Sequence, residues 1–170
     1  MNNFRRGVLL CCLLAATAGC DRVTKHLALT TLAGYPDHSY LADTVRLQYH
    51  ENPGAFLSVG ASWSPELRAV VFQLGNGLFL LALAVAASRR RWSRIESCGL
   101  ALFMAGALSN LIDRVAVGSV IDFMNVGIGP LRTGIFNVAD MAIMAGVALL
   151  AAEHFRAAMQ RRRRGLPLRP

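Results

Sequence analysis

The stretch AVVFQLGNGLFLLALAVAAS, residues 69–88, carries no charge anywhere along its length. At about 1.5 Å of rise per residue, a helix of that length crosses the roughly 30 Å hydrocarbon core of a bilayer. Lipid offers backbone N–H and C=O groups no water to bond, so a crossing segment must close its own hydrogen bonds, as a helix or in a closed barrel. One such run limits what the rest of the chain can fold into.

Three further apolar runs follow the same rule less purely: about 7–29, 95–112 and 133–155. Asp21, Asp113 and Asp140 fall inside them or at their ends. Hydrophobic residues make up 54% of the chain and charged ones 16%, a balance that suits a membrane protein. The net charge of +8 is a charge type that also serves nucleic acid, but its distribution argues otherwise. The basic residues cluster at Arg5 and Arg6, in SRRRWSR (88–94), and between Arg156 and Arg169, which is between or beyond the apolar runs. No aromatic residues interleave with them in a nucleic-acid motif, so no nucleic-acid partner is expected. Cys11, Cys12, Cys20 and Cys98 all lie in apolar stretches without zinc or disulfide spacing, and read as small packing residues, with Cys20 expected to be buried. The scattered histidines, 26, 38, 50 and 154, give no metal site.

Basic residues next to spans stay in the cytoplasm. Four spans with both termini cytoplasmic keep all three clusters inside and put 30–66 and 113–132 outside. Asp21, Asp113, Asp122 and Asp140 then gather at the outer face. Acids within or beside spans are costly and are functional candidates by default. Helix ends capped by solvated aspartates are the bland alternative, and for Asp113 an ion pair with neighbouring Arg114 fits it. Asp140 fits it poorly, because apolar residues continue on both sides. In the outer segments VRLQY (45–49) and SVIDFMNV (119–126) alternate as strands do, while 30–44 reads as a surface loop. The expected fold class is membrane α-helical: four transmembrane helices and a small extracytoplasmic β-sheet resting on the outer membrane surface. Residues 1–155 form one integral-membrane domain and 156–170 a basic cytoplasmic tail.

Asp122 precedes Asp140 across a turn-rich stretch that contains Gly127, Gly129, Pro130 and Gly134. If the chain doubles back, the two carboxyls meet and share a proton. One then takes a proton from water while the other gives one to a carbonyl, which is peptide hydrolysis without a covalent intermediate. No Ser–His or Cys–His pair competes in this region.

Five blocks resemble signal peptidase II, the bacterial lipoprotein signal peptidase: DRVTK (21–25), ENPGAFLS (51–58), GALSNLIDR (106–114), VIDF (120–123) and FNVADMAI (136–143). They stand in that family's order on four spans. The resemblance implies an aspartic endopeptidase of the bacterial inner membrane, with its active site near the periplasmic face. Such enzymes are sensitive to globomycin and cleave prolipoproteins before a diacylglyceryl-modified cysteine, with membrane lipids as surroundings. It implies no cofactor and no metal, and a monomer is expected. Asp122 and Asp140 become the catalytic pair; Asp21, Lys25, Asn52, Gly54, Asn110, Asp113, Arg114 and Asn137 take supporting or substrate-binding roles. Asn52, Asn110 and Asn137 can bond the substrate's peptide groups, and Arg114 can hold Asp113 or a substrate carbonyl. Ser109 departs from the glycine of many relatives.

Two rivals remain. LLAATAGCD (13–21) has the outline of a lipoprotein signal cut before Cys20, although Thr17 stands where such signals favour Leu, and cutting would remove the first span. A small proton-coupled transporter would also use acids, but at the bilayer midplane on facing helices.

Overall fold

The computed structural model describes residues 3–54, 59–90 and 92–164. Residues 55–58 of the second resembling block, Arg91 of the central basic cluster and the tail from Gly165 onward lie outside the described residues.

Helix α1 (Asn3–Thr31) leads into strands β1 (His38–Tyr40) and β2 (Val45–Asn52). A second rod, Pro65–Ser88, is built from α2 (Pro65–Arg68), a π-helical stretch (Ala69–Gly75) and α3 (Asn76–Ser88). Helix α4 (Arg94–Val117) leads into β3 (Val120–Ile128) and β4 (Leu131–Arg132), and α5 (Val138–Arg163) returns. Among the described residues four helices are long and apolar enough to cross a membrane. All strands connect at one end of the bundle, called here the sheet end. Helices α1 and α4 run toward it, and α3 and α5 run away from it.

The helix termini are written locally. Ser93 caps α4, its Oγ accepting from the Glu96 N–H, while Glu96 accepts from the Ser93 N–H in return. Gly118, at φ 81°, ends α4 in the left-handed conformation that glycine adopts without steric cost. Asn137 and Asp140 form the same reciprocal cap on α5. The fourth span was expected from residue 133, but the helix begins at Val138. Thr133 and Phe136 are taken up by β3: the Thr133 N–H donates to the Val126 carbonyl, and Phe136 bridges Met124. At its other end α5 runs on to Arg163, so the expected boundary at 155 falls inside a helix.

The interior is not oily. Its buried side chains include Ala101, Ala105, Ala139 and Ala142 beside Asp21, Lys25, Asn110, Asp113 and Asn137, while Leu78, Leu81, Met144 and Val147 face outward. Lipid is as apolar as leucine, so nothing drives leucine inward; close packing and hydrogen bonding decide the interior instead. The same logic corrects the expectation for Cys20, which is exposed along with the other three cysteines. In a spanning helix, apolar does not mean interior.

The sheet is antiparallel in the order β1-β2-β3-β4. The 30–44 segment, expected as a loop, supplies its edge strand β1. The sheet rests on the end of α1, with Phe123 packed on Ala28 and Leu32. The β2–β3 register shifts between Leu47 and His50 and then pairs His50 with Asp122 and Asn52 with Val120. Such an irregularity bends a strand and re-aims its side chains, and beyond it Asp122 turns toward the helices.

Helices α4 and α5 approach closely at Gly106, where an added Cβ would collide with the Ala139 carbonyl oxygen. Gly106→Ala is expected to destabilise the bundle by about 1–3 kcal/mol through overpacking, read as a lowered unfolding midpoint in detergent.

Candidate active site

Four helix and strand ends converge at the sheet end. Asp21, in α1, is wholly buried. Its Oδ1 accepts from the Ala139 N–H at 2.8 Å, an amide in the first turn of α5 with no partner inside that helix. Its Oδ2 accepts from the Ser109 hydroxyl at 2.7 Å and pairs with Lys25 Nζ at 2.7 Å. Lys25 also reaches Asp113 Oδ2 at 2.7 Å and donates to Asn110 Oδ1 at 2.8 Å. The second Asp113 oxygen pairs with Arg22 at 2.6 Å. One ammonium thus joins two carboxylates and an amide, and α1 to α4. Spacing explains why: residues 21 and 25 are one helical turn apart and share a face.

The expected pairing of Asp113 with Arg114 does not form. Adjacent helix residues point to different faces, and Asp113 faces α1. Arg114 instead donates to the Gly54 carbonyl from Nη2 at 2.6 Å and from Nε at 3.1 Å, and to the Asn110 carbonyl at 3.2 Å. It therefore holds the backbone at Gly54, just past β2, over the end of α4. The Gln73 amide, on the π-helical stretch, donates to the Arg114 carbonyl at 2.9 Å and ties the second rod to the same corner.

Asp122 and Asp140 are brought to one place by three asparagines. Asn52 accepts the Gly54 N–H at 3.0 Å and donates to Asp122 Oδ2 at 2.9 Å. Asn137 accepts the Asp140 N–H at 3.0 Å and donates to Asp122 Oδ1 at 2.6 Å. Asn110 accepts from Lys25 and donates to Asp140 Oδ1 at 2.9 Å. The last oxygen, Asp140 Oδ2, takes the Asn137 N–H at 3.1 Å. Each amide is oriented without ambiguity: an N–H or an ammonium holds only a donor, so the amide oxygen must face it and the NH₂ must face the carboxylate. These side chains, expected to serve the substrate's peptide groups, are spent on the two aspartates.

Asp122 is 2% exposed, whereas Asp140 is half-buried at the mouth of a cavity of about 300 Å³. Burial pushes the Asp122 carboxyl up to about 6, against the downward pull of the Asn52 donor; the negative charge of Asp140 adds to the rise. Two carboxyls so placed disfavour ionising together. Such a pair can accept a proton from water and deliver another to a carbonyl.

All ten residues singled out in the sequence lie in this constellation. Sequence reasoning did not single out Arg22 or give Ser109 a task; a basic residue next to Asp21 and a hydroxyl where glycine was expected were the available signals.

The chain is similar to known proteins along most of its length. The family described as "Signal peptidase (SPase) II" matches residues 13–156. The lipoprotein signal peptidase of Desulforapulum autotrophicum is 34% identical over 148 residues, covering 86% of this chain and 91% of its own. That of Geobacter sulfurreducens is 38% identical over 137 residues, covering 80% and 84%. A solved bacterial membrane enzyme structure superposes with a TM-score of 0.77 at 25% identity, covering 88% of this chain and 89% of the other.

The buried ion cluster yields a stability test. Lys25→Met leaves Asp21 and Asp113 facing each other without their shared cation and is expected to cost about 3–5 kcal/mol, measured as loss of folded protein on heating in detergent.

Proposed function

The chain belongs to the signal peptidase II family, and from that premise we propose that it is an aspartic endopeptidase that removes signal peptides from prolipoproteins. Cleavage falls just before the diacylglyceryl-modified cysteine. The observation that carries the reading is the meeting of Asp122 and Asp140 on a shared frame of amides. It sits at the polar end of a cavity whose other walls, Phe79, Phe103 and Met144, are apolar.

In the reaction, the ionised carboxyl of the pair takes a proton from water as the water oxygen attacks the scissile carbonyl. The protonated carboxyl gives its proton to that carbonyl oxygen. The tetrahedral diol then collapses: one of its hydroxyls returns a proton to the carboxylate that donated, the C–N bond breaks, and the proton taken from water goes to the leaving amine. The products are a signal peptide ending in a carboxyl group and a lipoprotein starting at its lipidated cysteine. Lys25, Asp21 and Asp113 position the frame; Asn52, Asn110 and Asn137 hold the two carboxyls; Arg114 holds the Gly54 carbonyl, and Gly54 in turn orients Asn52. The pair needs no metal or cofactor for this chemistry. The enzyme acts as a monomer in the bacterial inner membrane, with residues 1–155 as its peptidase domain, both termini cytoplasmic and the sheet end periplasmic. It is globomycin-sensitive.

The lipoprotein alternative would cut α1 before Cys20 and separate the helix from Asp21, the residue that holds the start of α5. The transporter alternative needs acids at mid-bilayer, whereas these gather at one end of the bundle.

Asp122→Asn and Asp140→Asn are each expected to lower cleavage of a lipidated precursor by at least about 10³-fold while the protein stays folded in membranes; near-parental cleavage by either variant would sink the assignment. The pH profile offers a second check. The Asn52 donor holds the Asp122 pKa down, so Asn52→Ala raises it further. The pair then keeps its shared proton to higher pH, and the alkaline limb of the cleavage profile should move upward. A limb that stays in place would detach the titration of Asp122 from the reaction.

A further inference from the structure

A groove of about 680 Å³ lies between α1, α3 and α4, whereas the cavity at Asp140 lies between α3, α4 and α5. Its walls are apolar: Leu14 of α1, Leu81 and Ala84 of α3, Met104 and Leu108 of α4. It touches neither Asp122 nor Asp140. Leu14, Leu81 and Leu108 are exposed, so the groove opens sideways and continues the lipid-facing surface of the bundle.

Its polar chemistry is confined to one end. Ala87, Ser88, Trp92 and Ser97 line the groove farthest from the sheet. Arg89 directly follows Ser88, and Arg94 stands three residues before Ser97, on the same side of α4. The Arg90 guanidinium lies 4.6 Å from the centre of the Trp92 ring and pairs with Glu96 at 2.8 Å. That pairing pins Arg90 on the rim and balances its charge. Arg89 and Arg94 are exposed and form no salt bridge among the described residues. The Ser88 and Ser97 hydroxyls donate to the Val85 and Ser93 carbonyls, so it is the guanidiniums that meet a ligand's charge.

An occupant has to match an apolar body and a basic rim together. Length does not choose it. Along α4 the groove runs from Ser97 to Leu111, about 21 Å, which is longer than a chain of one leaflet at about 15 Å and shorter than a spanning helix. Charge does choose. A signal-peptide helix carries a basic start that stays on the cytoplasmic side, as these arginines do, and is repelled there. A second copy of this chain in the same membrane orientation sets the same arginines against each other. A zwitterionic lipid brings no net charge. An anionic phospholipid supplies both the apolar chain and the negative phosphate, and basic pockets between spanning helices take such headgroups.

We propose that this groove binds an anionic phospholipid, with an acyl chain along Leu14, Leu81 and Met104 and the phosphate against Arg89 and Arg94. The inference stands apart from the peptidase reading, since it uses no residue of the dyad or its frame. The seated chain fills the gap between α1 and α3 and so holds the second rod to the bundle.

The chain's two tryptophans, Trp63 and Trp92, offer a test. Trp63→Phe leaves Trp92, at the groove, as the single indole. This variant is placed in phosphatidylcholine vesicles that contain a minor fraction of phosphatidylglycerol or of phosphatidylcholine, brominated on the acyl chains in either case. Bromine quenches an indole that it touches. Each arginine near an anionic headgroup is worth about fivefold in affinity, so brominated phosphatidylglycerol should quench Trp92 at about a tenfold lower fraction than brominated phosphatidylcholine. A preference under about threefold, less than one arginine supplies, overturns the proposal. Replacing both arginines, Arg89→Gln with Arg94→Gln, should bring the preference below that mark; a preference that stays overturns the headgroup assignment. Ala84→Phe fills the groove and leaves the arginines in place. It should reduce quenching by brominated phosphatidylglycerol to the level of brominated phosphatidylcholine. Quenching that survives Ala84→Phe in full means a headgroup on the rim with no chain seated in the groove, and this too overturns the proposal.

Discussion

A single buried ammonium organises the sheet end of this protein. Lys25 lies between Asp21, Asp113 and Asn110 with almost no exposure. An unpaired charge at this depth would cost several kcal/mol, so each member of the cluster requires the others. Because Asp21 and Lys25 belong to α1 while Asp113 and Asn110 belong to α4, the requirement fixes those two helices in register. Asp21 then spends its remaining capacity on Ser109 and on the first turn of α5. Three helices are thus aligned by polar contacts at a point where lipid supplies no hydrophobic driving force to align them.

The consequences pass to the dyad through hydrogen-bond polarity. Lys25 has only donors, so Asn110 must turn its oxygen toward it and its NH₂ toward Asp140. Asn137 faces the same compulsion from the Asp140 N–H and turns its NH₂ toward Asp122. Asp140 is itself part of the helix cap that starts α5. The groups that position the carboxyls are therefore also the groups that begin the helix and pair the spans. Such an arrangement holds a site to tight tolerance, and it explains why so many polar residues are buried here.

Away from that end the helices meet through small residues. The close contact of α4 with α5 is made by glycine and alanine, and bulky side chains point to lipid. The second rod leans on α4 and leaves apolar grooves on either side. Its π-helical stretch displaces the backbone where Gln73 reaches the Arg114 carbonyl, and Phe72 stacks on Trp63 with ring centroids 5.5 Å apart.

Much of this was legible in the sequence. Uncharged length alone required spanning helices, because backbone groups in lipid have no other partner. The alternation of VRLQY and SVIDFMNV marked strands, and the cost of acids near spans drew attention to Asp21, Asp113, Asp122 and Asp140. What the sequence could not supply was direction. It left Asp113 beside Arg114, yet helical geometry sends them to different neighbours, Lys25 and Gly54. It left three asparagines free to serve a substrate, yet donors from Lys25 and the backbone turn their NH₂ groups onto the aspartates. It made Cys20 look interior, although in lipid an apolar residue has no reason to be. The chain by itself determined which segments cross the bilayer and which residues are too costly there to be incidental, since both follow from local composition and transfer energy. Only the tertiary structure decided which polar group faces which, because a hydrogen bond is directional and its partner, here up to 118 residues away, is fixed by how the helices pack.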